Sequence, residues 1–362
     1  MSPAGAALAG PAFYFVATLL AACGLAFAVL LLRQVSACRS SRATAASADA
    51  VRPAIHGDIV RFLAGGPDSV LRGYLATRRQ ELADTLIGFQ STVAGGARDR
   101  LCSLALDLGL VHEWIEQGSD ADVMRRRQAM ARLAFICTYE PCRRITGELL
   151  SRALEDADEE VRLSAARGLA QTGNQTDVED VFLLALGPNP LTRVVLTEEL
   201  RRHAMMLCAE AVPEVLASGR TEYVRAALEI VTAWERAIPL EQLRRFLDHR
   251  DRDIRLLALR LAPMAAPDPE SRQAIIGALD DNDLEIRSLA IMAAGRLKLA
   301  EALPQLVHCL HHDPIEAARF AAEALATIPA TGRQALEEAS AGGSGVAARA
   351  AREILGRGQG IS

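Results

Sequence analysis

The chain has 362 residues, with 40 Lys+Arg against 45 Asp+Glu for a net charge of −5, and 50% hydrophobic but only 4% aromatic residues. So much apolar material excludes wholesale disorder, and the scarcity of aromatic and β-branched runs argues against a sandwich or barrel. The small net charge supplies no overall attraction to nucleic acid. The Ala- and Leu-rich composition points to helix. Lys298 is the only lysine, and with the alanine bias this suggests a GC-rich, bacterial coding sequence.

Residues 1–10 read as a short extracytoplasmic N-terminus. Pro11 to Leu32 reads PAFYFVATLLAACGLAFAVLLL, without a charge. Its 22 residues, at about 1.5 Å each, reach about 33 Å, enough to cross about 30 Å of hydrocarbon as one transmembrane helix. Arg33, Arg39, Arg42 and Arg52 follow it and no basic residue precedes it. The positive-inside rule then places the N-terminus outside and the remainder in the cytoplasm, an inner-membrane single-pass arrangement. Leu20-Ala21-Ala22-Cys23 resembles a lipoprotein cleavage box, but the missing basic n-region and the apolar run after Cys23 favour a plain anchor. The cysteines number seven and form no CxxC, which fits free thiols in a reducing compartment.

Residues 33–54 are small, polar and mildly basic and read as a juxtamembrane linker. Residues 55–118 read as an irregular helical or capping region. Ser69 to Val93 carries apolar residues at helical spacing, Gly95-Gly96 breaks the pattern, and a second helix is expected over Arg98 to Glu116.

Residues 119–356 repeat. Arg162, Arg193, Arg225, Arg255, Arg287, Arg319 and Arg349 stand in similar strings at spacings of 31, 32, 30, 32, 32 and 30 residues. Four residues before the arginine come Asp158, Asn189, Thr221, Asp251 and Asp283, each expected to cap a following helix. Asp313-Pro314 is expected to play the same part in the sixth unit. Val161, Val224, Ile254 and Ile286 precede the arginine at an inward position, and small residues (Ala165, Ala258, Ala290, Ala322) follow it where helices must approach closely. A shorter helix ends before each cap, near Leu154, Leu216, Leu247, Leu279 and Leu310. Each unit is then helix A, turn, helix B, and no pair can bury its own apolar face without a neighbour. Residues 357–362 read as a flexible tail.

Asp158/Val161/Arg162, Asp251/Ile254/Arg255 and Asp283/Ile286/Arg287 resemble HEAT repeats of the short variety found in phycobilin-lyase-like proteins. The resemblance covers about Arg143 to Gly356, and reaches back to Asp120 if DADVMRRRQAMARLAF is an outlying unit. It implies an all-α chain, an α-solenoid of HEAT-like helix pairs, which the apolar run Pro11 to Leu32 is expected to precede as a single transmembrane helix. It further implies a structural arginine column that ties turns between neighbouring units. The second repeat departs most, with Thr192 in the apolar slot.

No GxSxG, Walker or Rossmann pattern occurs, and no cofactor is expected. HEAT-fold diiron enzymes resemble the chain in architecture but need several His-Glu pairs, and His112-Glu113 is the only one. His308 and His312, spaced i, i+4 beside Cys309, are weak metal candidates; closing a helix is the plainer role for them. Cys137 and Cys142 form a single spaced pair suited to apolar packing. Arginine clusters at Arg125–Arg127, Arg143-Arg144, Arg201-Arg202 and Arg244-Arg245 are interspersed with acids and lack interleaved aromatics, so solvated helix faces are favoured over nucleic-acid binding. The function expected is a membrane-anchored scaffold or adaptor that binds a membrane-associated protein partner through exposed B-helix residues Arg167, Glu198, Glu229, Arg260 and Arg296. Envelope polysaccharide synthesis and signalling are the settings suggested by fold-level analogy. The alternatives are a HEAT-fold enzyme or lyase-like cofactor-attachment protein and, third, nucleic-acid binding.

Overall fold

The computed structural model describes residues 51–89, 92–265 and 268–359. The expected N-terminus, anchor and nearly all of the linker lie outside these residues. Among the described residues no strand occurs, and no helix is long and apolar enough to cross a membrane. Two compact units divide between Gln117 and Gly118.

The first unit contains α1 (residues 51–63), α2 (Ser69–Tyr74), α3 (Arg79–Gly88), α4 (Gly96–Asp107) and α5, which ends at the boundary (Leu110–Gly118). Residues 51–54, placed in the linker by sequence, thus already belong to a helix. Each of the two long helices expected here is broken in two. Gly109 adopts φ +69°, a conformation that costs glycine little, and separates α4 from α5. Between α2 and α3 the chain turns at Leu75 to Arg78, with Arg78 N–H donating to the Tyr74 carbonyl. Ile55, Ile59, Leu71, Leu82, Leu101 and Leu110 are buried at its centre.

The second unit is a stack of antiparallel helices. Its B helices are α6 (Val123–Ile136), α8 (Glu159–Ala170), α10 (Pro190–His203), α12 (Thr221–Ala233), α14 (Arg252–Leu261), α16 (Leu284–Arg296), α18 (Ile315–Thr327) and α20 (Val346–Gln359). Between them lie the A helices α7 (Glu140–Ala153), α9 (Gln175–Ala185), α11 (Met205–Ala217), α13 (Leu240–Leu247), α15 (Pro269–Ala278), α17 (Leu303–His312) and α19 (Thr331–Ala341). Helix α20 covers the first residues of the expected tail.

Asp158, Asn189, Asp251 and Asp283 cap α8, α10, α14 and α16 by accepting N–H bonds from the first turn. Two expected caps are corrected. Thr221 is the first residue of α12, preceded by Arg220 with no side-chain cap. Asp313 does not cap α18, because its carboxylate is taken by Arg287 at 2.5 Å.

Each B helix packs closely on the next from α6 to α20 without interruption. Small residues allow this. A Cβ on Gly168 would come within 2.7 Å of the Ala134 Cα, and one on Gly295 within 2.8 Å of the Ala324 Cα. Ala165, Ala258, Ala290 and Ala322 are wholly buried, as are Val161, Ile254 and Ile286. In the A layer α9 with α11, α13 with α15 and α17 with α19 approach most closely, and side-chain bonds join others, Arg143 of α7 to Asp177 and Arg245 of α13 to the Leu216 carbonyl.

Candidate functional site

The arginine column occupies the turns between A and B helices. Arg162, Arg255 and Arg287 each reach back six and five residues to two turn carbonyls: Asp156 and Ala157, His249 and Arg250, Asp281 and Asn282. Arg126 does the same at Asp120 and Ala121, which makes the string from Asp120 an equivalent B-helix entrance.

A second set of bonds ties successive units. Arg126 binds both carboxylate oxygens of Asp156 at 2.9 and 3.1 Å, Arg287 pairs with Asp313, and Arg255 lies 3.6 Å from Asp281. In each case the aspartate stands six residues before the next arginine of the column. Where glycine or histidine holds that position (Gly187, Gly219, His249, Gly343), this bridge does not form. Arg193 turns instead to Glu229 at 2.5 Å, and Arg319 to Glu353 at 3.3 Å. Among the described residues the side chains of Arg225, half-buried, and Arg349, exposed, have no hydrogen-bond or ion-pair partner. Sequence reading found the arginines but missed these aspartates, although Asp120-x-Asp122, Asp156-x-Asp158 and Asp281-x-Asp283 repeat visibly. The first aspartate of each accepts the backbone N–H of the second at 2.8 Å.

The caps are themselves paired. Arg127 binds Asp158, and Arg252 binds Asp283, holding both carboxyls down at about 2. Thr192 is buried in the apolar slot of the second repeat because its hydroxyl donates to Glu159 at 2.8 Å, a carboxylate that also accepts from Asn189.

Four of the five B-helix residues expected to contact a partner are engaged within the molecule. Glu229 holds Arg193, and Glu198 accepts from Arg201 and Arg202. Arg260 lies 3.6 Å from Glu285, and Arg167 lies 3.8 Å from Glu160. Arg296 has no ion-pair partner among the described residues; it lines a shallow depression with Met292 and Phe320. The arginine clusters are consumed likewise, except Arg144, which is exposed with no side-chain partner among the described residues. Arg125, Arg126, Arg127, Arg143, Arg201, Arg202, Arg244 and Arg252 pair with carboxylates, and Arg245 donates to the Leu216 carbonyl.

The His308 and His312 rings lie 4.4 Å apart between centroids, tilted by 35°. Among the described residues no group of three His, Cys, Asp or Glu side chains is placed to hold a metal. Cys309 is buried, and burial pushes its thiol up to about 12. Cys137 and Cys142 are buried as packing residues.

One groove gathers several carboxylates that no arginine pairs. Helices α9 and α11 contain Asp177, Glu179, Asp180, Glu210 and Glu214 and no basic residue. Asp177 is held by Arg143 at 3.3 Å. Burial, then the carboxylates of Asp177 and Glu179, push Asp180 up. Glu179 accepts only from Gln175, and Glu210 and Glu214 have no partner among the described residues. The two helices flank a groove of about 500 Å³ over Phe182, Leu183 and Val215, closed at one end by Arg220 and Tyr223. Sequence reasoning missed it because its walls come from separate helices; the available signal was the lack of any basic residue in both.

Residues 240–326 match the HEAT-repeat family. No curated protein matches the chain. Among solved structures, YibA of Escherichia coli is 16% identical, with 81% of this chain and 97% of that one covered and a TM-score of 0.39. Two engineered proteins are also similar. One is 16% identical over 85% of this chain and 95% of its own, with a TM-score of 0.39; the other is 18% identical over 61% and 97%, with a TM-score of 0.31.

Proposed function

We propose that the chain is a membrane-anchored scaffold whose HEAT-like array holds a protein partner at the cytoplasmic face of a bacterial inner membrane. The supporting observation is the economy of its charges. Most turn and helix arginines are engaged by carbonyls and carboxylates of the array itself, which ties successive units together and leaves isolated places for a partner. The uncharged run Pro11 to Leu32, followed by arginines, supports the anchor and its orientation. Affinity in such a frame comes from a few anchor points on an extended surface rather than from its whole area. Arg296, with Met292 and Phe320, is the B-helix position best suited to be one. Envelope polysaccharide synthesis and signalling are the settings we favour for the partner.

The test combines topology and capture with the full-length chain. Protease added to inside-out membrane vesicles is expected to digest the array, and protease outside intact cells to spare it. Crosslinking in native membranes followed by affinity capture is expected to recover one membrane protein in stoichiometric amount. An array accessible from outside overturns the orientation, and the absence of any stoichiometric protein overturns the scaffold.

A further inference from the structure

The groove between α9 and α11 differs from the rest of the array in both charge and surface. Its accessible apolar surface comes chiefly from Leu183, which is 50% exposed; Phe182 is fully buried and Val215 nearly so. Its two rims carry carboxylates from opposite walls, Glu179 on α9 and Glu210 and Glu214 on α11. Glu210 and Glu214 stand four residues apart on one helix face, where like charges destabilise the helix. Many carboxylates of the array are paired with arginine, whereas Glu179, Glu210 and Glu214, gathered in one groove, are not.

The end of the groove is also built. Arg220 lies with its guanidinium 3.6 Å from the centre of the Tyr223 ring, so one of its faces is covered by the aromatic surface. Its remaining N–H groups are suited to backbone carbonyls of an incoming chain. From Gln175 to Leu183 the α9 wall is about 12 Å long, room for three or four residues of extended peptide.

We infer that this groove binds a short basic segment of the protein partner, with an aliphatic or aromatic side chain seated on Phe182, Leu183 and Val215 between Lys or Arg residues held by Glu179, Glu210 and Glu214. The occupant follows from complementarity: an acidic segment meets three carboxylates, and a purely apolar one leaves them desolvated without partners. The inference rests on the scaffold reading and specifies where and how the partner is gripped.

The test uses the full-length chain in phosphatidylcholine nanodiscs, with empty nanodiscs subtracted. Twelve-residue peptides are selected from a random phage library, and the enriched ones are labelled and titrated by fluorescence anisotropy. The expected peptides carry basic residues on both sides of an aliphatic or aromatic one. Their affinity falls at least tenfold in the E179Q/E210Q/E214Q variant, and at least threefold in Y223A. It also weakens severalfold between about 50 and 500 mM salt. Melting temperatures close to the wild type's, and equal or higher for the triple variant that relieves the Glu210/Glu214 repulsion, show that the variants fold, which the exposed or half-exposed positions of the glutamates favour.

Enriched peptides without basic residues, or affinities indifferent to the triple variant, overturn the inference. Displacement by a synthetic peptide of residues 33–52 at equal affinity also overturns it, since the occupant is then the chain's own basic segment. Capture separates this failure from that of the scaffold. If the wild-type chain recovers its partner and the triple variant recovers it equally, the groove assignment falls and the scaffold stands. If the wild-type chain recovers no partner, the scaffold falls and the groove assignment with it.

Discussion

Asp158 shows how much one residue does in this array. It accepts the Val161 N–H as a helix cap, donates its own N–H to the Asp156 carboxylate, and binds Arg127 of the preceding B helix. Asp283 repeats this with Ile286, Asp281 and Arg252. Both carboxyls are held down at about 2, first by the arginine, against about 3.9 in an unfolded chain. A depressed carboxyl contributes stability that is full above pH 4 and is lost as pH falls toward 2. Urea titrations at pH 7, 4 and 2.5 should therefore show a steep loss in the wild type and a shallower one in D158N/D283N, since asparagine caps nearly as well but cannot ionise. Parallel profiles would remove the arginine pairs from the account. The glycines make a second case. G295L places side-chain atoms where the Ala324 backbone lies and should cost about 1–3 kcal/mol. G277A, with nothing within 4 Å of the new Cβ, should gain about 0.4–1 kcal/mol. Equilibrium denaturation of the two variants checks both signs.

Individual helices differ in how firmly they are held. The B layer is built on buried alanines and on glycines that admit a neighbouring backbone, whereas the A helices approach one another less closely. Helix α11 is the least supported. It starts directly after α10 with no side-chain cap, and Pro213 within it cannot donate to the Ala209 carbonyl. Hydrogen exchange is expected to be faster in α11 than in α12, whose Ala226 to Leu228 stretch is wholly buried. Equal protection would contradict the division into a firm and a loose layer. Much of this was readable from sequence, because the arginine spacing and the capping residues are local signals that need no tertiary knowledge. The first unit was less readable. Its break at Thr77-Arg78 contains neither glycine nor proline, and the helical periodicity runs through it. Thr192 looked like a defect until its bond to Glu159, 33 residues away, supplied the reason. The floor and rims of the groove combine positions on α9 and α11 whose facing register only the packed A layer provides.

At the scale of the molecule, the account is a frame that neutralises its own charges and grips a partner where it leaves them exposed. Most of the arginines that suggest nucleic-acid binding in the sequence are paired with the array's own carboxylates, and Arg144 and Arg250 are the exposed exceptions. The same bookkeeping makes the carboxylates of α9 and α11 conspicuous. The most direct measurement places a photocrosslinking amino acid at position 183 in the groove, at 292 on the B-helix face and at 277 on exposed α15 in the full-length chain, followed by irradiation of native membranes. The account predicts one stoichiometric membrane protein joined at position 183, its crosslinked peptide bearing Lys or Arg beside the site of attachment, and no such adduct at 277. Equal labelling at all three positions, or none at 183 while 292 crosslinks the partner, would contradict it.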